Sequence, residues 1–301
     1  MRRVPGPLAG VTLYLVALAV FASLDACTKH LVRGLPVLEV VWARFGFHLL
    51  TVSVALRLAG RRLPWRPRAP GLQCLRSLAL ACCSLLFIAA LAHIPLAEAT
   101  AINFAGPLFT VLLAVLWLGE RVGWQKWAGV AAGLVGVLLI LRPFGAAFHA
   151  AGLFALASAA VNAVYLVLTR RLAATDSPQT TIFHTGLWAA LAASLAVPFV
   201  WVPPDAAAWA GLLAIGGLGG LGHFLLVLAH HRAPASLLAP VSYVQMIWAT
   251  LFGAVLFAEL PDAATVFGAC VIIGGGLLAL SHRSGAAPAP GGALAPERAL
   301  D

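Results

Sequence analysis

Ala92-His93-Ile94-Pro95 returns 139 positions later as His231-Arg232-Ala233-Pro234, and the stretches that follow these two segments decide the fold. At the same offset Asn103-Phe104 falls on Ser242-Tyr243, Phe109 on Trp248, and Leu118-Gly119-Glu120 on Phe257-Ala258-Glu259. Gly129 and Gly136 fall on Gly268 and Gly275. Shifted by 141, Thr28-Lys29-His30 falls on Thr169-Arg170-Arg171. The chain repeats itself.

What repeats is apolar. Of the 301 residues 62% are hydrophobic and 10% charged, with a mean hydropathy of +0.97. A soluble domain carries about 25% charged residues to face water. So few charges cannot cover a water-facing surface, and the solvent that tolerates an apolar exterior is lipid. Spanning the hydrocarbon takes about 20 residues of helix. Ten such stretches are expected, over 7–26, 36–58, 72–93, 96–119, 123–141, 150–169, 179–202, 206–230, 234–258 and 262–281. The first begins after Arg2 and Arg3 like a signal peptide, but no A-x-A-like site follows, so it reads as an uncleaved membrane helix. The tail 282–301, rich in Ala, Pro and Gly, is expected to be disordered and cytoplasmic.

Each copy, 8–141 and 150–281, therefore holds five helices. Five is odd, so the copies cross the membrane in opposite senses. The expected fold is an all-α integral membrane protein of ten transmembrane helices, built as two inverted five-helix repeats around a central cavity. Inverted repeats serve alternating access, because exchanging the conformations of two related halves moves the opening from one face to the other.

The net charge of +9 sits in short clusters between spans, which sets membrane orientation and speaks against nucleic acid. With the N-terminus inside, fourteen basic residues fall in inner segments, against Lys29, Arg33 and Arg142 outside. Both termini are expected in the cytoplasm of a cell with this inner, plasma-membrane protein. Five cysteines, four of them (Cys74, Cys82, Cys83, Cys270) inside apolar segments, show no metal or disulfide spacing. No cofactor or metal is expected.

Ionisable groups inside a span cost about 2.5–3.5 kcal/mol each at the helix centre, so each requires a reason. Arg44 lies about 12 Å into the second helix, with His48 and Thr51 on its face. It either takes a substrate carboxylate through bidentate hydrogen bonds, or pairs with Glu39 or Asp25, or snorkels outward. Asp25 shares a face with Tyr14, Leu18 and Phe21. It is a proton-coupling candidate, or an i,i+4 partner of Lys29. The sixth helix carries Ser158, Asn162, Tyr165 and Thr169 on one face. The fourth carries Asn103, Pro107 and Thr110, and the ninth Ser242, Tyr243 and Gln245. These polar stripes line a lumen or hydrogen-bond between helices. Asn103 and Ser242 are repeat-related, which favours a shared midplane site, and Pro107 and Pro240 free backbone carbonyls there. His223 is a further cavity candidate. His223, His230 and His231 have no acidic companion for a metal. Glu120 and Glu259 end the two repeat-related helices and are expected to anchor the turns that follow.

Gly217-Leu218-Gly219-Gly220-Leu221-Gly222 matches G-x-G-x-x-G, but no strand precedes it, and close helix packing explains it better. Walker A, H-E-x-x-H and G-x-S-x-G sequences are absent.

The repeated segments carry a resemblance. Leu96-Ala97-Glu98-Ala99 leading to Pro107-Leu108-Phe109, then Leu118-Gly119-Glu120-Arg121, resembles the first EamA-type unit of the drug/metabolite transporter superfamily. Ala233-Pro234-Ala235-Ser236, Ala239-Pro240-Val241-Ser242-Tyr243 and Phe257-Ala258-Glu259-Leu260-Pro261 resemble the second, and Lys29 and Leu141-Arg142-Pro143 also fit. The resemblance implies ten helices around a central cavity, with the fifth and tenth peripheral. It also implies movement of small metabolites such as amino acids, often as efflux. The expected function is export or exchange of a small polar metabolite, an amino acid or related compound, by a secondary transporter. Its coupling is to a proton or to exchange. The alternatives are an intramembrane enzyme and a non-transporting receptor or scaffold.

Overall fold

The structure, a computed structural model, describes residues 7–118, 123–143, 149–172, 175–230, 232–233 and 235–281. The expectations for Glu120, His231 and the tail 282–301 lie outside these residues. No strand occurs among the described residues.

The first half of the chain holds α1 (Pro7–Leu31), α2 (Val37–Leu58), α3 (Pro70–Leu91), α4 (Leu96–Asn103), α5 (Gly106–Leu118) and α6 (Trp124–Leu141). The second holds α7 (Gly152–Leu172), α8 (Pro178–Ala196), α9 (Ala206–His230), α10 (Ala235–Val241), α11 (Val244–Phe257) and α12 (Ala263–Ser281). Prolines punctuate the starts. Pro70 and Pro178 sit in first turns, where the missing N–H has no partner to lose, and Pro36 and Pro95 stand just before α2 and α4. Ser177 caps α8 by accepting the Thr180 N–H at 3.2 Å. α1 runs on past its expected end at residue 26, which makes Asp25 and Lys29 neighbours on one helix.

Eight spans among the described residues are long and apolar enough to cross a membrane, and the apolar helices Val244–Phe257 and Ala263–Leu278 are shorter. The two halves of the chain differ from unbroken rods at one shared place. The fourth expected span is interrupted at Phe104–Ala105, between α4 and α5, and the ninth at Ser242–Tyr243, between α10 and α11. Pro107 has no N–H for the Asn103 carbonyl four residues earlier, so an unbroken helix cannot be continued there. Around both breaks the backbone tightens to three-residue bonds, Leu108 to Ala105 and Gln245 to Ser242. Under the 139-residue offset the two breaks overlap at Phe104 and Tyr243, staggered by one residue.

The exterior along the helices is apolar, and several ionisable or polar side chains are buried. Leu58, Leu195, Phe199, Leu116 and Val255 are exposed, whereas Asp25, Lys29, Glu39, His48, Gln73 and Arg76 are buried. This inversion of a soluble protein suits a lipid surround.

Contacts between the halves come in matched sets. α1 packs on α9 as α7 packs on α3, and α2 on α9 as α8 on α3. α1 meets α11 as α7 meets α5, while α2–α8 and α6–α12 pair elements that occupy the same place in each half. The α6–α12 seam shows why glycine recurs there. A Cβ on Gly136 would stand 2.6 Å from the Gly268 carbonyl oxygen, and one on Gly275 would stand 2.8 Å from that of Gly129. The backbones touch, which only small residues permit. The glycine run in α9 has the same purpose: a Cβ on Gly222 would lie 2.7 Å from the Phe21 ring. It is a packing surface.

Candidate functional site

A cavity of about 600 Å³ lies where α1, α3, α4, α5, α7 and α11 converge on the two helix breaks. Asp25 comes from α1, Thr100 and Asn103 from α4, and Asn162 from α7. The second break contributes Ser242 and Tyr243, and α11 contributes Gln245. Aromatic rings fill the gaps between these polar groups. Phe87 and Tyr14 line the wall, and Phe104 and Tyr243, one from each break, stand 5.2 Å apart between ring centroids. At the end where α7 finishes, Lys126 and Arg170 line the cavity.

The polar lining has an unfinished hydrogen-bond inventory. Asn103 Oδ1 is buried without a partner among the described residues. A buried acceptor left unmet costs about 1–3 kcal/mol, so this oxygen is suited to a solute or water that brings a donor. Asp25 accepts a long bond, 3.4 Å, from Gln245 Nε2.

Asp25 does not pair with Lys29, although the two are one turn apart. Lys29 Nζ instead reaches Glu259 at 2.9 Å and donates to the Ile94 carbonyl at 2.6 Å. Glu259 also accepts the Leu96 N–H at 3.3 Å and stands 3.6 Å from Arg33 Nη2. Lys29 and Arg33 both lie over the Phe257 ring, at 5.6 and 4.7 Å. This knot ties the last turn of α1 to the start of α4 and the end of α11, at the end of the bundle opposite Arg170. Beside it an Arg142–Asp262 ion pair joins the end of α6 to the start of α12. The Thr265 N–H, 2.8 Å from Asp262, and Arg142 together hold that carboxyl down to about 2.

Arg44 and His223 do not line the large cavity. They share a chamber of about 10 Å³ with His48, Phe45, Leu80, Thr185 and Gly219, enclosed by α2, α3, α8 and α9. The His48 and His223 rings meet edge to face, 5.9 Å apart. Arg44 feels the charge of Asp25 without an ion pair between them. Nor does it meet Glu39, whose Oε2 accepts the Val202 N–H at 3.1 Å.

The polar face of α7 divides by height. Ser158 donates to the Cys83 carbonyl at 2.9 Å, Asn162 lines the cavity, and Tyr165 and Thr169 turn to Arg76. Arg76 donates to the Tyr165 and Thr169 hydroxyls at 2.8 Å each, and to the Thr185 hydroxyl. Its guanidinium lies 4.6 Å from the Tyr165 ring centroid. Arg76 was legible as an arginine within a span, but nothing in its spacing named three neutral hydroxyl partners on two other helices. Thr100 could have been found as the residue one turn before Asn103, and Phe87 by nothing local.

Comparison with known proteins bears on this arrangement. The EamA-like transporter family matches the chain twice, over residues 8–142 and 149–281. An S-adenosylmethionine uptake transporter of Rickettsia bellii is 28% identical over 264 residues, covering 88% of this chain and 90% of that protein. A pseudopaline exporter of Pseudomonas aeruginosa is 30% identical over 269 residues, covering 88% and 93%. A riboflavin transporter of Vibrio cholerae is 26% identical over 271 residues, covering 89% and 91%. A solved crystal structure, 23% identical, superposes with a TM-score of 0.64 and covers 90% of this chain and 98% of its own, a likeness of fold.

Proposed function

The chain belongs to the EamA-like transporter family, and from that premise we propose that it is a secondary carrier exporting or exchanging a small polar metabolite, an amino acid or related compound, by alternating access. It is a membrane transporter and not an enzyme. The observation that carries the reading is the cavity. It joins repeat-related breaks in two membrane helices, presents the unmet Asn103 Oδ1 there, and lies inside an apolar exterior. About 600 Å³ suits a small metabolite, within the usual range of about 300–1,000 Å³ for ligand sites.

In this reading the chain has ten transmembrane helices as two inverted repeats, residues 8–141 and 150–281, and the matched contacts between halves support it. The Lys29–Glu259 knot closes one end of the cavity, and the Arg170 end admits solute. Exchange of the two halves' conformations reverses these roles. The substrate contacts are Asn103, Asn162, Ser242, Tyr243 and Gln245, with Asp25 at the closed end. Arg44, His48 and His223 are a buried polar cluster beside the site rather than part of it, and Tyr165 positions Arg76. The named relatives carry chemically different solutes, two by uptake or unspecified transport and one by export, so the family alone sets neither substrate nor direction.

The test is counterflow without a guessed substrate. Proteoliposomes loaded with an unlabelled metabolite extract are placed in the same extract uniformly labelled with carbon-13, and their contents are read by mass spectrometry. One or more labelled compounds should accumulate relative to protein-free liposomes. If none does, the chain is not a carrier of soluble metabolites.

The basic-residue distribution makes a separate forecast. With both termini in the cytoplasm of the inner membrane, single cysteines replacing Arg66 and Ala206 should react with an impermeant reagent from opposite sides. Reaction of both from outside intact cells would contradict the ten-helix topology.

A further inference from the structure

Asp25 is the one acidic side chain lining the large cavity among the described residues. No cation forms an ion pair with it among the described residues. Lys29, one turn along α1, is held by Glu259 and the Ile94 carbonyl. Arg44 lines the separate small chamber, and its influence on Asp25 is through space only. Arg76 is bound by hydroxyls of α7 and α8. Lys126 and Arg170 line the same cavity at its far end. What touches the Asp25 carboxylate is the Gln245 amide, at 3.4 Å.

Rings line the same cavity as this carboxylate: Phe87 from α3, and the Phe104–Tyr243 pair of the two helix breaks, whose centroids stand 5.2 Å apart. A cavity that holds one carboxylate and several aromatic faces can receive an organic cation, by ion pairing and by attraction to the ring quadrupoles together. An anionic group placed there would face Asp25 in a low-dielectric site, where like charges repel strongly. Its place is the other end, beside Arg170 and Lys126.

We propose that the closed end of the cavity binds the cationic group of the transported solute, a protonated amine or another organic onium, with Asp25 as its counter-ion and Phe87, Phe104 and Tyr243 as its walls. The substrate class is therefore organic cations and zwitterions whose positive group is attached to an apolar or planar body. This inference rests on the carrier reading above and assigns its site a charge preference.

The experiment uses the purified full-length protein and three probes of one shape: 2-phenylethylammonium, 2-phenylethanol and 3-phenylpropionate. Binding is read from the rise in thermal midpoint with probe concentration. The parent should bind the ammonium about tenfold or more tightly than the alcohol and the carboxylate. Asp25→Asn should keep the probe-free midpoint near the parent's and bind ammonium and alcohol alike. Asp25→Glu should retain the preference, which keeps the test sound if the asparagine variant folds poorly. Equal binding of ammonium and alcohol by the parent, no response to any probe, or an unchanged preference in Asp25→Asn would overturn the proposal. The last result would leave Asp25 the proton-coupling role instead. Counterflow that succeeds for neutral or anionic solutes while this preference is absent refutes the inference alone, whereas absence of counterflow refutes the carrier reading whatever the probes do.

Discussion

Glu259→Leu should be among the most destabilising single changes in the protein, costing about 3–5 kcal/mol, because it strands a buried ammonium. Lys29 has a side chain only 5% exposed, and Glu259 supplies its charge partner at 2.9 Å. The Ile94 carbonyl remains as an acceptor, but a neutral oxygen does not compensate a full charge away from water. The loss spreads further, since the same carboxylate accepts the Leu96 N–H and faces Arg33. Lys29→Met should be milder. It leaves Glu259, with a side chain 23% exposed, still beside Arg33. The double variant Lys29→Met with Glu259→Leu should recover much of the stability, because replacing both members of a buried pair by apolar groups is far less costly than removing one. Thermal unfolding of the three purified variants, followed by tryptophan fluorescence, reads the order directly. A Glu259→Leu midpoint equal to the parent's would show that the knot holds nothing.

The second large effect is on transport. Asn103→Leu and Ser242→Leu should each lower counterflow by about tenfold to a hundredfold, the equivalent of about 1.5–3 kcal/mol of lost hydrogen bonding to the solute. Asn103 Oδ1 has no partner among the described residues, so its removal takes nothing from the fold that the protein itself supplies. Leucine is acceptable to a membrane helix, and insertion and thermal stability of Asn103→Leu should stay near the parent's. The two changes act on one cavity. Their combination should therefore fall short of the sum, since either alone already disables the site. Variants that transport like the parent would place the site elsewhere.

The sequence announced much of this arrangement, and its failures are physical. Helix positions follow from uninterrupted apolar length, which is a local property, and the offset aligned Asn103-Phe104 with Ser242-Tyr243, although both spans were expected to run unbroken over 96–119 and 234–258. That the helices break there, rather than merely bend, depends on Pro107 and on three-residue backbone bonds that composition does not encode. Site membership was harder because a helical face does not reveal which neighbour it meets. Asn103, Asn162, Ser242, Tyr243, Gln245 and Asp25 line one cavity, yet Arg44 and His223, equally polar and equally embedded, line another. Lys29 stands one turn from Asp25, the spacing of an ion pair within a helix, and a residue 230 positions further along the chain takes it away. Long-range competition of that kind is invisible to spacing rules. Arg76 makes the same point from the other side: its partners Tyr165, Thr169 and Thr185 sit on two helices of the second half.

The central claim is that one cavity, at the paired helix breaks, is reached from each face of the membrane in turn. The most direct measurement places a single cysteine at Ser242 in a protein whose five native cysteines, Cys27, Cys74, Cys82, Cys83 and Cys270, have been replaced. Oriented proteoliposomes are then treated with a membrane-impermeant thiol reagent from one side or the other. The cysteine should react from both sides, faster from the side of Arg170, and substitution of Glu259 by leucine should raise the rate from the side of Lys29. Reaction from the Arg170 side alone, unchanged by the loss of Glu259, would contradict alternating access through this cavity.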